Sequence, residues 1–343
     1  MKNNFPHSIL PLLALLATAF VAVGQDGTTA YHFLDIPVSS HVYALGGHNI
    51  TIIDDDINLV EQNPALLGSE IERQVGLNYM RYLGGSNFMG VRYGQGAGEH
   101  GAWSAGIQFY SYGSMEGYDI TGVKTGSFSA SDMAFHVSYS HDINDYLRGG
   151  INLKLLNSKY EEYGATAIAA DLGLNYYDPN HEVSVSVVAK HLGGQVKQFN
   201  DKKDPLPWDV QLGVSKTLSS APVRLSLTAY GLSKWSSPYY EPSDVNNTSS
   251  DLVKKDKFGS NLMRHLVLGA EVLPSDNLYL ALGYNYRTRT DMSTYNRNFL
   301  SGFSLGAGLR VRAFGLGVAL AQPHSGGTTM MLNITTSLNE LLR

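Results

Sequence analysis

The stretch LYLALGYNYR at residues 278–287 places a leucine or a tyrosine at every second position, and mostly small or polar residues between them. Successive side chains of a β-strand point to opposite faces. One face of this segment therefore suits hydrocarbon, and the other suits water or a packed interior.

The same alternation recurs along the chain downstream of Arg73, in segments of about ten residues. SGFSLGAGLRVR at residues 301–312 and WDVQLGVS at residues 208–215 are further examples. Short alternating segments separated by turn residues are the sequence pattern of a membrane β-barrel. Read this way, the chain contains fourteen strands, an even number as in bacterial single-chain barrels. The strands are predicted to start near Arg73, Asn87, Gly101, Asp132, Asp145, Thr166, His181, Pro207, Pro222, Arg264, Asn277, Ser301, Gly315 and Thr328.

The predicted connections alternate in length. Short links occur at residues 95–100, 142–144, 178–180, 219–221, 274–276 and 313–314, and longer ones at 112–131, 158–165, 192–206, 232–263 and 288–300. At the end of the barrel that carries the longer links, only the hairpins at residues 84–86 and 323–327 are short. Outer-membrane barrels have short periplasmic turns and longer external loops. The sequence therefore predicts an all-β fold, a transmembrane antiparallel β-barrel of about 14 strands, rather than a soluble β-protein.

Composition agrees with this class. The 343 residues include 36 Gly and 21 Tyr, and 16% of them are charged. The composition as a whole is too polar for a helical bundle in lipid. The net charge of −5, without a long basic run, does not suggest nucleic acid as a partner. The absence of Cys excludes disulfides, thiolate zinc sites and a lipid-modified N-terminal cysteine.

The N-terminus has the layout of a Sec signal peptide. Lys2 precedes an apolar run at residues 9–23, and Ala22-Val23-Gly24 precedes Gln25. A membrane anchor is the alternative, but the run is short of the ~20 residues that a helical span needs. We therefore expect a signal peptide at 1–24, a leader at 25–72 and an outer-membrane barrel at 73–343. The leader lacks alternation, so a plug, a hatch in the lumen and a periplasmic arm all stay open.

Within the leader, four elements follow one another: GTTAYHFLDIPVSS (27–40), ALGG (44–47), DDD (54–56) and QNPALL (62–67). This series resembles the leader of the PorQ family, outer-membrane barrels of the type IX secretion system of Bacteroidetes. More loosely, it is similar to the FadL-like fatty acid transporters, which have fourteen strands, and to PorV of the same secretion system. The residues that carry the motif are Leu45, Gly46, Gly47, Asn63, Pro64 and Ala65.

The resemblance implies a non-enzymatic outer-membrane component that anchors a PorZ-like surface protein in the attachment complex, beside PorU and PorV. FadL-like transport of a hydrophobic small molecule is the alternative, and an open porin is a third. The inferred inward positions favour the scaffold, because unpaired charges along an apolar pathway cost several kcal/mol each. These positions are Arg148, Asn152, Lys154, Asp171, Lys190, Asp209, Glu271, Arg287, Arg310 and Arg312.

No motif points to catalysis, a cofactor or a metal. The three acids at 54–56 lack the spaced ligands of a calcium loop, so a solvated turn is the simpler interpretation. The 11 His residues form no zinc pair, and no nucleophile elbow is present. Gly46-Gly47 and Asn63-Pro64-Ala65 are expected to shape the leader against the barrel rather than to touch a ligand.

The longest external connection, residues 232–263, combines aromatic residues with Pro, Ser and charged residues. Aromatic side chains beside proline are frequent anchors of protein contacts. With the link at 112–131, this loop is the predicted docking surface for the partner, although its centre at 246–250 also fits a solvated, disordered tip. The proposed anchors are Trp235, Tyr239, Tyr240 and Phe258.

Overall fold

A closed barrel of fourteen antiparallel strands dominates the computed structural model, which describes residues 29–69, 71–199, 203–242, 252–291, 300–324 and 327–341. The predicted signal peptide lies outside these residues. Each barrel strand pairs with its neighbours in sequence, and the first pairs with the last along eight residue pairs. The predicted fold class and strand number are confirmed. In the described part of the chain, no helix is long and apolar enough to cross a membrane.

The elements are as follows. The barrel strands are β1 (Gln74–Arg81), β2 (Asn87–Gly96), β3 (Gly101–Tyr118), β4 (Lys124–Asn144), β5 (Leu147–Tyr160), β6 (Tyr163–Asp178), β7 (Val183–Lys197), β8 (Asp209–Thr217), β9 (Val223–Ala229), β12 (Leu266–Ser275), β13 (Leu278–Asn285), β14 (Phe303–Val311), β15 (Phe314–His324) and β16 (Gly327–Ser337). A separate two-stranded sheet of β10 (Tyr239–Pro242) and β11 (Leu252–Lys255) lies in the link between β9 and β12. Short helices are α1 (Ser40–Ala44), α2 (Phe258–Arg264), α3 (Tyr286–Asp291) and α4 (Leu338–Leu341), and 3₁₀ turns occur at His32–Asp35, Ile57–Glu61, Pro64–Leu66 and Leu83–Gly85.

The two faces of the wall follow the predicted alternation. Leu280 and Leu305 are half exposed on the outer surface, whereas Ala281 and Ser304 beside them are buried inside. A half-exposed leucine at every second position is what a lipid-facing surface requires. The outer face is therefore the membrane-contacting belt.

The lengths of the connections orient the barrel. The links between β4 and β5, β12 and β13, and β14 and β15 contain two residues each, at the end where β1 begins and β16 ends. At the opposite end, longer links join β7 to β8, β9 to β12 and β13 to β14. Because outer-membrane barrels have short periplasmic turns, the long-loop end is external.

Three sequence expectations need correction. Strand β4 begins at Lys124 rather than near Asp132, so the link predicted at 112–131 is mostly a tall hairpin of β3 and β4. The link predicted at 158–165 shrinks to a two-residue turn before β6. Serine and glycine between 124 and 131 weaken the alternation, which is why the strand extension was not visible. Tyr286 and Arg287 belong to α3 rather than to the preceding strand.

The described leader lies inside the barrel. Helix α1 packs against β13, β14, β15 and β16, and the turn Pro64–Leu66 packs against β4, β5 and β6. The turn Ile57–Glu61 packs against β1 and β2, so the leader contacts opposite walls. The described leader residues therefore lie in the lumen, against opposite walls, and are called the plug below.

Candidate functional site

The plug rests on glycines of the inner wall. A Cβ atom added at any of them would lie under 3.0 Å from a leader atom. At Gly150 the obstacle is the backbone of Pro64, and at Gly283 it is the backbone of Leu45 and Gly46, neither of which can rotate away. The leader therefore lies directly on the wall, without room for a side chain between them. These wall positions are Gly76, Gly94, Gly96, Gly150, Gly173, Gly213, Gly269, Gly283, Gly306 and Gly317.

The ALGG element ends α1 beneath the external ends of β12, β13 and β14. Gly46 and Gly47 have φ angles of 95° and 86°, in the left-handed region that side chains disfavour. Asn285 donates a hydrogen bond from Nδ2 to the Gly46 carbonyl (3.2 Å), and Ser304 Oγ donates to the Ala44 carbonyl (2.8 Å). Leu45 is buried in the core. The structure thus places Leu45, Gly46 and Gly47 at a backbone turn fixed to the wall.

The Asn-Pro-Ala element forms a second fixed turn. Asn63 Oδ1 accepts a hydrogen bond from the Ala65 N–H (2.9 Å), which caps the 3₁₀ turn. Asn63 Nδ2 donates to the Ile50 carbonyl (3.0 Å) and to Ser186 Oγ of β7 (3.2 Å). Pro64 opens the turn, where its missing N–H costs nothing. These contacts bind the leader to itself and to the wall.

A buried ionic cluster fixes the middle of the leader. Its centre is Glu61, whose carboxylate lies 2.6 Å from Nη2 of Arg92 (β2) and 2.7 Å from Nζ of Lys154 (β5). The same carboxylate lies 3.0 Å from Nδ1 of His136 in β4. Burial disfavours the charged carboxylate, but His136, Lys154 and Arg92 hold the pKa of Glu61 well below its usual range. One leader residue therefore joins three strands through charge.

A second carboxylate balances the cluster. Asp171 of β6 lies 2.7 Å from Lys154 Nζ and accepts hydrogen bonds from Asn152 Nδ2 (3.2 Å) and the His191 N–H (2.8 Å). Lys190 Nζ donates to Gln62 Oε1 (3.3 Å). Buried charges are tolerated when they are paired and hydrogen-bonded. Lys154, Asp171 and Lys190, which the sequence predicts to face inward, are thus paired with one another or hydrogen-bonded to the plug.

A second anchor holds the leader to the opposite wall. His41 of α1 contacts Glu271 of β12, lies 3.3 Å from Asp54, and stacks on the Tyr279 ring at 3.7 Å between centroids. Burial disfavours the charged imidazole, but Glu271 and Asp54 outweigh it and raise the pKa of His41 to about 9. A cavity of about 320 Å³ lies beside this anchor, at the periplasmic ends of β12 to β16.

The three consecutive acids each have a different partner. Asp54 pairs with His41, Asp55 lies 2.7 Å from Nη1 of Arg310, and Asp56 accepts a hydrogen bond from Ser39 Oγ (3.2 Å). In the part of the chain that the structure describes, no group of three acidic, His or Cys residues has the arrangement of a metal site. Asp54 and Asp56 therefore make structural contacts within the plug, beyond the solvated turn that the sequence predicts.

The external face carries the proposed docking residues. Trp235, Tyr240 and Phe258 are exposed, with 40%, 53% and 70% of their surface accessible. Tyr239 is buried: its ring meets Tyr286 edge to face, and the Arg264 guanidinium lies 5.1 Å from the ring centre. Tyr239 therefore fixes the loop to α3 instead of presenting an outer surface. Residues 246–250, where a solvated tip is the alternative, lie outside the described residues.

The fold is similar to solved outer-membrane barrels. The Ralstonia pickettii toluene transporter TbuX superimposes with a TM-score of 0.52 at 12% identity, over 88% of this chain and 97% of that one. The Pseudomonas putida toluene transporter TodX (TM-score 0.52, 10% identity, 88% and 97%) and a Pseudomonas aeruginosa FadL homologue (0.52, 10%, 88% and 98%) are equally similar. No protein-family model and no curated protein sequence matches the chain. These likenesses show a FadL-like outer-membrane barrel fold.

Proposed function

We propose that this barrel acts at its external face, as an outer-membrane anchor for a surface protein, and that its plug seals the lumen. The observation that carries the proposal is the fixation of the leader on both walls, by glycine contacts and by the Glu61 and His41 anchors. A solute crossing this region must displace the plug or pass buried charges, at several kcal/mol for each charge left unpaired.

The partner proposed is a PorZ-like surface protein of the type IX attachment complex, with PorU and PorV beside it. The support for this partner is the leader resemblance, whose motif residues form the plug turns. The external face adds exposed aromatic anchors at Trp235, Tyr240 and Phe258. Large aromatic side chains contribute much of the binding free energy in protein interfaces.

Uptake of a hydrophobic small molecule is the second candidate, and the structural comparisons favour it over the first, because two similar barrels are toluene transporters. A specific feature of this chain also supports it. Phe33 of the leader, Phe88 and Tyr110 form an aromatic cluster at the external end of the lumen, with ring centroids 4.9 Å and 5.0 Å apart. Aromatic side chains commonly line small-molecule sites, and these three rings, which pack on one another, would have to separate to admit a ligand.

One experiment separates the two candidates. The natively extracted barrel is used to capture partners, and cells carrying it are assayed for toluene uptake, with wild type compared with a Trp235→Ala, Tyr240→Ala, Phe258→Ala variant. The anchor function predicts that the variant assembles normally but loses its surface protein, with uptake unchanged. Uptake that depends on the barrel, without any captured surface protein, would instead establish the transporter.

A matched control uses the buried neighbour of these residues. Tyr239→Ala removes an aromatic ring from the same loop but leaves the exposed set intact, so it is expected to loosen the loop without removing the contact side chains. Loss of the partner in both variants alike would mean that loop order, rather than the exposed rings, governs retention. Full retention in both would place docking elsewhere on the protein.

A further inference from the structure

The tip of the β3–β4 hairpin, residues 118–123, is a fixed turn. Asp119 Oδ1 accepts hydrogen bonds from the Thr121 N–H (2.8 Å), the Thr121 hydroxyl (2.6 Å) and the Val123 N–H (2.9 Å). The Asp119 N–H donates to the Val123 carbonyl (2.9 Å). Gly122 has a φ angle of 82°, which glycine adopts without strain. These bonds hold the hairpin tip in one conformation.

Apolar side chains project from this turn. Ile120 is fully exposed, and Tyr118 and Val123 are more than half exposed. Turns are usually built from Gly, Pro, Asn, Asp and Ser, and single exposed apolar residues are ordinary. Three such side chains within six residues, on a turn held by hydrogen bonds, form an exposed apolar patch.

The hairpin tip stands clear of the membrane. The outward faces of β3 and β4 turn from apolar to polar after Phe109 and Met133, where Ser111 and Ser131 follow. Seven further residue pairs join the two strands from that level up to Tyr118. They correspond to about 24 Å along the strands, or roughly 18 Å along the barrel axis at the usual tilt. Acyl chains do not reach that level, so the apolar patch is not a lipid contact.

The surroundings of the hairpin tip are acidic. The Glu161 N–H donates a hydrogen bond to the Ser129 carbonyl (3.1 Å), which places the β5–β6 turn beside the base of the hairpin. In residues 112–129 and 159–163 the charged side chains are the acids Glu116, Asp119, Glu161 and Glu162 and the lysines Lys124 and Lys159. Lys124 is paired with Glu116. An acidic border disfavours a phosphate-bearing headgroup and favours a protein with basic side chains around the contact.

We infer that the hairpin tip is a docking element of its own, which inserts Ile120 and Val123 into an apolar pocket with a basic border on the surface protein. The identity of the occupant as the anchored surface protein rests on the proposed anchor function. A turn that is already fixed loses little conformational entropy when it binds. The apolar area of the tip therefore contributes to affinity without the cost of ordering a loop.

The hairpin tip and the loop that carries Trp235 lie on nearly opposite sides of the mouth of the barrel. Four strands separate β4 from β9 in one direction, and six separate β12 from β3 in the other. A partner that contacts both spans the mouth. Two linked contacts retain a partner longer than either alone, because a contact that opens reforms at high effective concentration. Loss of the tip contact should therefore speed release of the partner.

Release of the partner from the natively extracted barrel tests this contact. An Ile120→Ser, Val123→Ser variant is compared with Val196→Ser, which removes a comparably exposed valine from the external end of β7. The tip variant is expected to release the surface protein at least about tenfold faster than wild type, and Val196→Ser at the wild-type rate. A wild-type rate in the tip variant, or equal acceleration in both variants, would overturn the inference alone. If wild type itself captures no surface protein, the anchor function fails and the inference fails with it.

Cross-linking identifies what the hairpin tip touches. Ile120→Cys introduces a single cysteine, because the natural chain contains none, and it is labelled on intact cells with a benzophenone maleimide. Illumination is expected to join it to the surface protein that wild type captures, at a peptide in which apolar residues lie next to Lys or Arg. Val196→Cys, labelled in the same way, is expected to give no such adduct. An adduct of Ile120→Cys with lipopolysaccharide or with a second copy of the barrel, or no adduct, would contradict the assignment.

Discussion

The substitution Glu61→Gln probes the central fixing point of the plug. It keeps the shape of the side chain but removes the charge that faces Arg92, Lys154 and His136. Asp171 still pairs with Lys154, so Arg92 is the group that loses its partner and keeps only the hydroxyls of Ser104 and Ser138. The variant therefore leaves a buried guanidinium without a counter-charge.

The magnitude follows from the burial of this pair. Breaking a buried ion pair by removing one partner costs about 3–5 kcal/mol. We expect that cost to fall on the docked state of the leader, because the undocked leader and the hydrated lumen would solvate both groups. At about 1.4 kcal/mol per factor of ten, the ratio of undocked to docked leader rises by roughly two to four orders of magnitude.

Two assays measure this change. Planar-bilayer recordings of the purified barrel are expected to show frequent openings for Glu61→Gln and few for wild type, and the leader should become sensitive to protease in detergent. Glu162→Gln, the same change at an exposed external turn, serves as the control. A Glu61→Gln, Arg92→Met double variant should recover much of the loss, since it removes both charges. Wild-type conductance and protection in Glu61→Gln would refute the reasoning.

Three further predictions concern other parts of the molecule. Gly150→Ala should cost about 1–3 kcal/mol by pressing on Pro64, while the adjacent, outward-facing Gly149→Ala stays near wild type; the temperature of heat-modified gel migration reports both. Leu280→Arg in the belt should cost about 2–4 kcal/mol and lower assembly yield, whereas Ile120→Arg on the external hairpin should not; equal yields would mean that Leu280 does not face lipid. Because the pKa of His41 is raised to about 9, its contribution to leader docking is complete below pH 6.5 and is lost as the pH rises through about 9; leader protection should fall over that window in wild type and not in His41→Gln.

The strands could be predicted from sequence because each barrel residue faces either lipid or lumen, and that choice is local to the segment. Predicted starts lie within three residues of the observed ones at every strand except β4. There, Ser127 and Ser129 are exposed in the part of the β3–β4 hairpin that extends beyond its last pairs with β2 and β5, where both faces meet water and alternation is not needed. Tyr286 continues the alternation of β13 but is the first residue of α3. Alternation alone does not indicate at which residue a strand ends.

The plug could not be placed from sequence in the same way. Its contacts join residues far apart in the chain, as between Asn63 and Ser186 or between Ser40 and Asn333. No local periodicity records such contacts. The wall glycines recur at inward positions of the sequence, which agrees with close contact by the plug. Small residues facing an open lumen would give the same alternation, so the pattern does not distinguish the two. The burial of Tyr239 was hidden for a similar reason: it depends on Arg264 and on α3.

The two halves of the leader contact opposite walls. One of these contacts connects the plug to the external surface. His48, directly after the ALGG element, stacks on the Tyr230 ring at 3.9 Å between centroids. The ring nitrogens of His265 lie 2.7 Å and 3.0 Å from the carbonyl oxygens of Tyr230 and Trp235, and its ring stacks on Trp235. A continuous series of contacts thus leads from the leader turn to an exposed aromatic residue of the proposed docking surface. Through these contacts the plug supports the base of the external loop, so under the proposed anchor function a motif buried inside the barrel is required for binding outside it.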